Sequence, residues 1–447
     1  MDRIEQAQFK RCMEHYCADP DFRALMDSDP GKAAVSAGLT RLDARSAYQA
    51  VRGIVFHEGD PAVLGGNPYV RASAESEKKT AAYLAGFWDD AGLASDKVLR
   101  YETIVRERCR TESSLLRRNS HVFFFPFAFE LSKGCSVQCS FCGFAAQRHQ
   151  ADFLHTPENA ALFRDIIRAA AGYAGAAAAC CPLYFATEPF DNPDYEKFML
   201  DFRGITGGYP QTTTAVADRI PDRLRGWMKQ VGEQDIAEHA ALRISIRTLG
   251  QFRKIAQMYP PEELFGVELL ANNPESVHAC SASGRAAEGT GIGARHAARY
   301  SICCISGMKV NMVDKTVEFI EPELPDEQYP QGYGVREKRT FADAEEFAGI
   351  LRDFDRLYVH DAMPWDLPLR FNQNVKVSLE GNSWQFAGDE SGYRIGNNLF
   401  TGAVVEGIRA RKSFADSLAM FATAGEESAR KLYEAFNALY IRGYIRS

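Results

Sequence analysis

Residues 131–144 run Leu131-Ser132-Lys133-Gly134-Cys135-Ser136-Val137-Gln138-Cys139-Ser140-Phe141-Cys142-Gly143-Phe144. Three cysteines fall in one eight-residue window, spaced Cys-x3-Cys-x2-Cys. The run before them, 121–130, is aromatic and apolar and predicts a buried strand. A loop leaving a strand can turn several sulfurs towards one point. Thiolate is the soft ligand that iron–sulfur clusters need. Three thiolates bind three irons of a [4Fe–4S] cluster and leave the fourth iron open. The competing reading is zinc, which usually takes four ligands in paired Cys-x2-Cys elements. No second pair follows at a suitable spacing.

Downstream of this motif, strand and helix patterns alternate. Helices are predicted at 157–174 (Ile166 and Ile167 inward), 195–204, 221–231 and 251–258, and strands at 180–186, 211–217, 242–248 and 264–270. Repeated strand–helix units predict an α/β fold with a parallel sheet, open or curled into a barrel. Residues 308–313 and 316–320 predict a hairpin around Asp314-Lys315. Near the end, 426–440 is an amphipathic helix with Leu432, Phe436 and Leu439 on one side, and Tyr444-Ile445 predicts a short strand. Upstream, Asp19-Pro20 and Asp29-Pro30 each read as an N-cap with proline in the first turn, and Gly38 as a C-terminal stop. Residues 48–56 and 75–92 predict helices, with a loop at 67–73. The chain thus divides into a helical region, 1–110, an α/β unit, 120–300, and a C-terminal hairpin and small α+β cap, 301–447.

Bulk properties exclude several classes. With 447 residues, 46% of them hydrophobic and 25% charged, the chain can bury a sizeable core. A net charge of −7 argues against a nucleic-acid binder. No apolar run is long enough for a membrane span, and residues 1–10 lack the apolar core of a secretory signal. The expected location is the cytoplasm, where eleven cysteines point to metal or redox chemistry over disulfides. Two further pairs are adjacent, Cys180-Cys181 and Cys303-Cys304.

The cysteine spacing resembles that of the radical S-adenosylmethionine (SAM) enzymes. The resemblance implies a partial (β/α)6 barrel, a [4Fe–4S] cluster on Cys135, Cys139 and Cys142, and SAM on the open iron. It implies that Phe141 walls the adenine. Ala186-Thr187-Glu188-Pro189 lies at the end of the next predicted strand and resembles the Gly-Gly-Glu-like motif that holds the methionine ammonium of SAM. Thr187 and Glu188 take that role here. Ser245 and Arg247, on a later strand, sit where ribose and carboxylate contacts are often made, though an alternating polar strand face reads the same. Thr212, Thr213 and Thr214 line the pocket or pack beside it.

Three further stretches narrow the class. Residues 22–39 resemble the Nif11-like segment found in leaders of ribosomal peptide natural products, at about 9–40 here. Residues 183–198 and 307–317 look like segments of the radical SAM peptide-maturation family that includes proteusin amino-acid epimerases. The resemblance implies a ribosomally made precursor peptide with a Nif11-like or nitrile-hydratase-like leader. It also implies a reducing partner such as flavodoxin or ferredoxin. The implied reaction takes the Cα hydrogen from an L-residue and returns one to the other face from a thiol. Cys303 and Cys304 are the candidate donors, followed by Cys280. In the epimerase relatives a cysteine follows the hairpin, whereas here that place reads Ile320-Glu321-Pro322-Glu323. Backbone splicing with tyramine excision, crosslinking and a non-catalytic peptide-binding module therefore stay open. No second cysteine cluster follows, which disfavours twin-cluster maturases, and nothing suggests a cobalamin domain. Arg106, Arg108, Arg110, Arg117 and Arg118 form either a groove for an acidic leader or a solvated face, and Tyr329 and Tyr333 either line a channel or pack.

Overall fold

The computed structural model describes residues 1–56, 58–89, 95–112, 125–232, 236, 241–277, 283–288, 305–388, 391–419 and 426–447. Its second and third helices start where short acidic side chains meet proline. Asp19 accepts from the backbone N–H groups of Asp21 (3.0 Å) and Phe22 (3.4 Å) and opens Pro20–Ser28. Asp29 opens Pro30–Ser36 by accepting from Lys32 N–H. The same device governs 67–73, where the sequence predicts a loop. Asn67 Oδ1 accepts from Tyr69 N–H (2.9 Å), Pro68 follows it, and the helix runs Pro68–Asp89. Phe9, Cys12, Tyr16, Phe22, Met26 and Tyr69 form the core of this unit.

The helical unit is fastened to the rest of the chain by polar side chains. Arg253 grips Asp19 and Asp21, with distances of 2.7–3.0 Å. Arg11 is buried, pairs with Glu14 and donates to the carbonyls of Ala256 and Tyr259. Asn273 donates to Ala18 O and Val277 N–H to Cys17 O.

Among the described residues, nine strands build the central region: β1 (Phe125–Glu130), β2 (Ser132–Lys133), β3 (Ala151–Asp152), β4 (Thr212–Thr214), β5 (Leu242–Ile246), β6 (Glu268–Ala271), β7 (Ile305–Asn311), β8 (Thr316–Pro322) and β9 (Tyr333–Thr340). β4, β5 and β6 form a parallel sheet in that order. A second sheet has the order β1-β7-β8-β9, with β7 parallel to β1 and antiparallel to β8. The hairpin therefore extends the sheet beyond β1, with Lys315 at φ 49° in its turn. Among the described residues, sheets have two to four strands and none closes on itself.

Residues 181–186 lie between the two sheets. Pro182 O accepts from Phe129 N–H (3.0 Å), and the Tyr184 hydroxyl reaches Gln211 and Thr213 on the other side. The strand expected at 180–186 is absent as a ladder. A 3-10 turn, Gly175–Cys180, takes its first residue, and Pro182 has no N–H to give. Period-2 alternation decides what β1 faces. Phe127 and Phe129 enter the main core with Phe163, Ile166 and Ile167 of helix Pro157–Ala174. Ala128 and Glu130 take the opposite face, where Ala128 meets Phe185 and Ile320.

The C-terminal region adds β10 (Arg370–Phe371), β11 (Lys376–Glu380), β12 (Ser383–Ala387), β13 (Gly392–Gly396) and β14 (Ile445–Arg446). β11, β12 and β13 form an antiparallel meander, and β10 pairs with β14. Trp384, Phe386, Val404, Phe436 and Leu439 fill its core. A buried ionic network ties this region to β8. Glu321 accepts from Arg108 (3.1 Å) and Arg336 (2.5 Å), and Glu323 from Arg370 and Arg446 (both 2.5 Å). Arg108, only 1% exposed, is thus neither a solvated face nor a leader groove. Arg106 pairs with Glu102, and Arg117 and Arg118 lie outside the described residues.

Burial alone would raise the Glu321 carboxyl, but Arg108, Arg336 and Arg446 outweigh it and hold it well below the usual carboxylate range. Removing one member of such a network leaves buried cations uncompensated. Glu321→Gln is predicted to lose about 3–5 kcal/mol in urea unfolding at neutral pH. A loss of about 1 kcal/mol or less, the scale of an exposed pair, would count against the network.

Candidate functional site

The cysteine loop is pinned at its base by the β2–β3 ladder, in which Ser132 pairs with Asp152 and Lys133 with Ala151. Gly134 follows at φ 77°, so close to Arg148 that a Cβ would stand 2.2 Å from the Arg148 carbonyl oxygen. Only glycine fits there. Cys135 N–H donates to Gln147 O (2.9 Å) and closes the loop. Gln138 folds its side-chain amide inward, to the carbonyls of Cys135 (2.8 Å), Ala146 (3.1 Å) and Gln147 (2.9 Å). Asp191 accepts from Ser136 N–H (2.8 Å) and its hydroxyl (2.5 Å).

A distant segment locks the loop from the other side. Gly284 has φ 52°, and a Cβ there would lie 2.4 Å from Gly143 O and 2.7 Å from Cys142 O. Arg285 N–H donates to Cys142 O (2.9 Å), its Nε to Cys139 O (3.0 Å) and its Nη1 to Ala146 O (2.7 Å). Its Nη2 is buried and makes no hydrogen bond with any described residue.

The thiols of Cys135, Cys139 and Cys142 are half-buried. Burial first, then the neighbouring Cys135 and Cys142, push the Cys139 thiol up to about 12. Burial also raises Cys135. Three thiols on one loop are a soft donor set, able to take iron or zinc. Among the described residues, no three His, Cys, Asp or Glu side chains converge to hold a single ion.

One flank of the loop carries Glu188 and Arg247, both within electrostatic reach of Cys139. Glu188 is 3% exposed and accepts from Thr214 Oγ1 (2.7 Å), Ala215 N–H (2.9 Å) and Phe190 N–H (3.3 Å). Burial raises its carboxyl to about 7, against the lowering effect of those three bonds. An arriving ammonium would favour the charged form. Arg247 donates from Nε to Ala215 O (3.0 Å) and lies 3.8 Å from Asp218. Ser245 is buried on β5, while Thr187 and Phe141 are half-buried. Thr214 serves Glu188, Thr213 bonds Tyr184, and Thr212 bonds Tyr195 in the core.

The other flank is a cavity of about 240 Å³ between the loop and β7–β9, lined in part by Glu130, Phe144, Lys309, Glu318 and Tyr333. Lys309 lies 3.2 Å from Glu318 and 3.9 Å from Glu130. Burial would lower its ammonium, but Glu130, Tyr333 and Glu318 outweigh that and raise it. Glu130 also accepts from Ala186 N–H and Asn311. Tyr333 rests on Phe185 and Phe144, with centroids 5.5 and 6.3 Å away.

Cys280, Cys303 and Cys304 lie outside the described residues. At the place where the resemblance to peptide epimerases implies a cysteine, Ile320 is buried and Glu321 and Glu323 are engaged by arginines. Cys180 and Cys181 are buried, their thiols raised by desolvation. Sequence reading missed Arg285, Gln138, Glu130 and Lys309. Gln138 stood inside the motif, and its fit is to carbonyls that become neighbours only on folding.

Two outcomes are expected. Gly284→Ala should fold normally by circular dichroism yet lose more than half of its iron uptake; full uptake would show that the close approach is dispensable. Glu188 titrates higher folded than unfolded, so its support for the fold is full below its unfolded value and is withdrawn as pH rises through about 7. Stability in urea should therefore fall between about pH 4.5 and pH 7 by an amount that Glu188→Gln removes; equal slopes would refute the assignment.

No family model matches the chain, and no solved structure matches it. The chain is 31% identical over 262 residues to uncharacterized protein y4wI of Sinorhizobium fredii, a match covering 56% of this chain and 50% of the relative. The match thus spans half the length of that curated relative.

Proposed function

We propose that this chain is a radical SAM enzyme acting on a ribosomally made precursor peptide, inverting an L-residue at Cα. The observation that carries the reading is the loop: three half-buried thiols in Cys-x3-Cys-x2-Cys spacing, with Glu188 and Arg247 in reach of the same sulfurs. In this reading β1, the segment 181–186, β4, β5 and β6 are successive positions of a partial (β/α)6 barrel, and β7–β9 extend it beyond β1.

Cys135, Cys139 and Cys142 would hold three irons of the cluster. Glu188 would bind the methionine ammonium of SAM, with Thr187, Ser245 and Arg247 around its ribose and carboxylate and Phe141 against its adenine. When bound, the cluster and SAM supply a 5′-deoxyadenosyl radical, the agent that takes a hydrogen atom from the substrate. The chain supplies orientation and keeps water out. The cavity beside the loop presents paired charges and amides, Lys309 with Glu318 and Glu130 with Asn311, a surface suited to a peptide backbone. Cys303 or Cys304 returns the hydrogen atom in this scheme. The arginine-held carboxylates at Glu321 and Glu323 favour a second reading, in which the radical ends in backbone splicing or a crosslink.

The test is anaerobic turnover with SAM and reductant. The wild type should release 5′-deoxyadenosine, and Cys135→Ala none. A wild type that releases none refutes the enzyme reading and leaves a peptide-binding module. With a precursor peptide in D2O, deuterium gained at Cα with an intact backbone marks epimerisation. A loss of mass marks splicing or crosslinking.

A further inference from the structure

Arg285 stands 146 residues beyond Cys139 in sequence yet spends three donors on the cysteine loop. Its backbone N–H holds Cys142 O, and its guanidinium bridges the carbonyls of Cys139 and Ala146, on either side of Cys142. Gly284, by lacking a side chain, lets this segment approach the carbonyls of Cys142 and Gly143. The preceding N–H, that of Gly284, donates to Pro330 O (2.7 Å) and anchors the segment from behind. Four bonds therefore hold the segment, and the guanidinium cannot drift into solvent.

One donor is left over. Arg285 Nη2 is buried and makes no hydrogen bond with any described residue. A buried charged donor without an acceptor is destabilising. Arginine cannot relieve this by giving up its proton. The guanidinium already lies along the loop that presents the three thiols. A sulfur of a cluster held by those thiols would be such an acceptor.

We propose that Arg285 is a positioning residue for the iron–sulfur cluster: an N–H of its Nη2 donates to a cluster sulfur and sets the potential at which the cluster accepts an electron. The proposal rests on the reading of Cys135, Cys139 and Cys142 as cluster ligands. The electron comes from an external low-potential donor and adds one negative charge to the cluster. A charge-assisted N–H···S contact stabilises the reduced form more than the oxidised form, so it raises the potential.

The test needs no peptide. Full-length protein is loaded anaerobically with iron and sulfide, and its iron content, the electron paramagnetic resonance of the reduced cluster and the midpoint potential are measured. Arg285→Gln should keep a cluster but move its midpoint to a more negative value. Arg285→Lys, which keeps the charge and loses the planar fork, should fall between. A glutamine variant with a full cluster at the wild-type midpoint overturns the proposal. If the glutamine variant loses its cluster, the lysine variant decides: a negative shift supports the proposal, and a wild-type midpoint overturns it. Loss of the cluster in both variants reduces Arg285 to a structural clamp and also overturns it. A wild type that takes up no iron removes the underlying reading itself, a failure visible before any variant is made.

Discussion

Three thiols on one turn repel one another as soon as they ionise, and burial makes ionisation harder still. Cys139, pushed to about 12, shows both effects. The surrounding structure is arranged so that the loop keeps this geometry regardless. Its hydrogen bonds are made by backbone groups and by the side chains of Gln138, Arg285, Ser136 and Asp191. Two glycines allow backbone to lie against backbone where a side chain would collide. A cation brought to the sulfurs would relieve the repulsion, and the thiols would give up their protons to it. In the proposed reading the loop is preorganised for a positively charged occupant.

Around that loop the fold separates two environments. On one side a buried carboxylate, Glu188, sits among hydrogen bonds that partly hold its charge, with Arg247 nearby. In the proposed reading this flank would take a small zwitterion, with its ammonium beside the carboxylate and its carboxylate beside the guanidinium. On the other side the cavity walls carry charges that already neutralise one another, Lys309 against Glu318 and Glu130. Such a wall recognises hydrogen-bonding groups without demanding a net charge. The proposal of a cofactor on the first flank and a peptide on the second follows from this contrast. No described helix is long and apolar enough to cross a membrane.

Much of the frame can be read from local chemistry. The Asp19-Pro20 and Asp29-Pro30 caps mark helix starts because each capping bond joins neighbours in sequence. Asn67-Pro68 carries the same signal with an amide in place of a carboxylate, and it opens a helix where a loop is the sequence expectation. The hairpin at Asp314-Lys315 is local too. Its pairing with β1 is not, since nothing in 305–322 points to a partner so far upstream. At 180–186 the apolar pattern suggests a strand, but Pro182 breaks the ladder that would make it one. Cys135, Cys139, Cys142 and Glu188 stand out by spacing and by the residues beside them. Arg285 has no such neighbourhood, because its partners are loop carbonyls that every residue owns.

Mössbauer spectroscopy decides whether the loop holds a four-iron cluster with one iron open to SAM. The protein is loaded anaerobically with enriched iron and sulfide, and spectra are taken with and without SAM. The account predicts a [4Fe–4S] spectrum in which one iron alone changes when SAM is added. A spectrum of mononuclear iron, or a four-iron spectrum that SAM leaves unaltered, would contradict it.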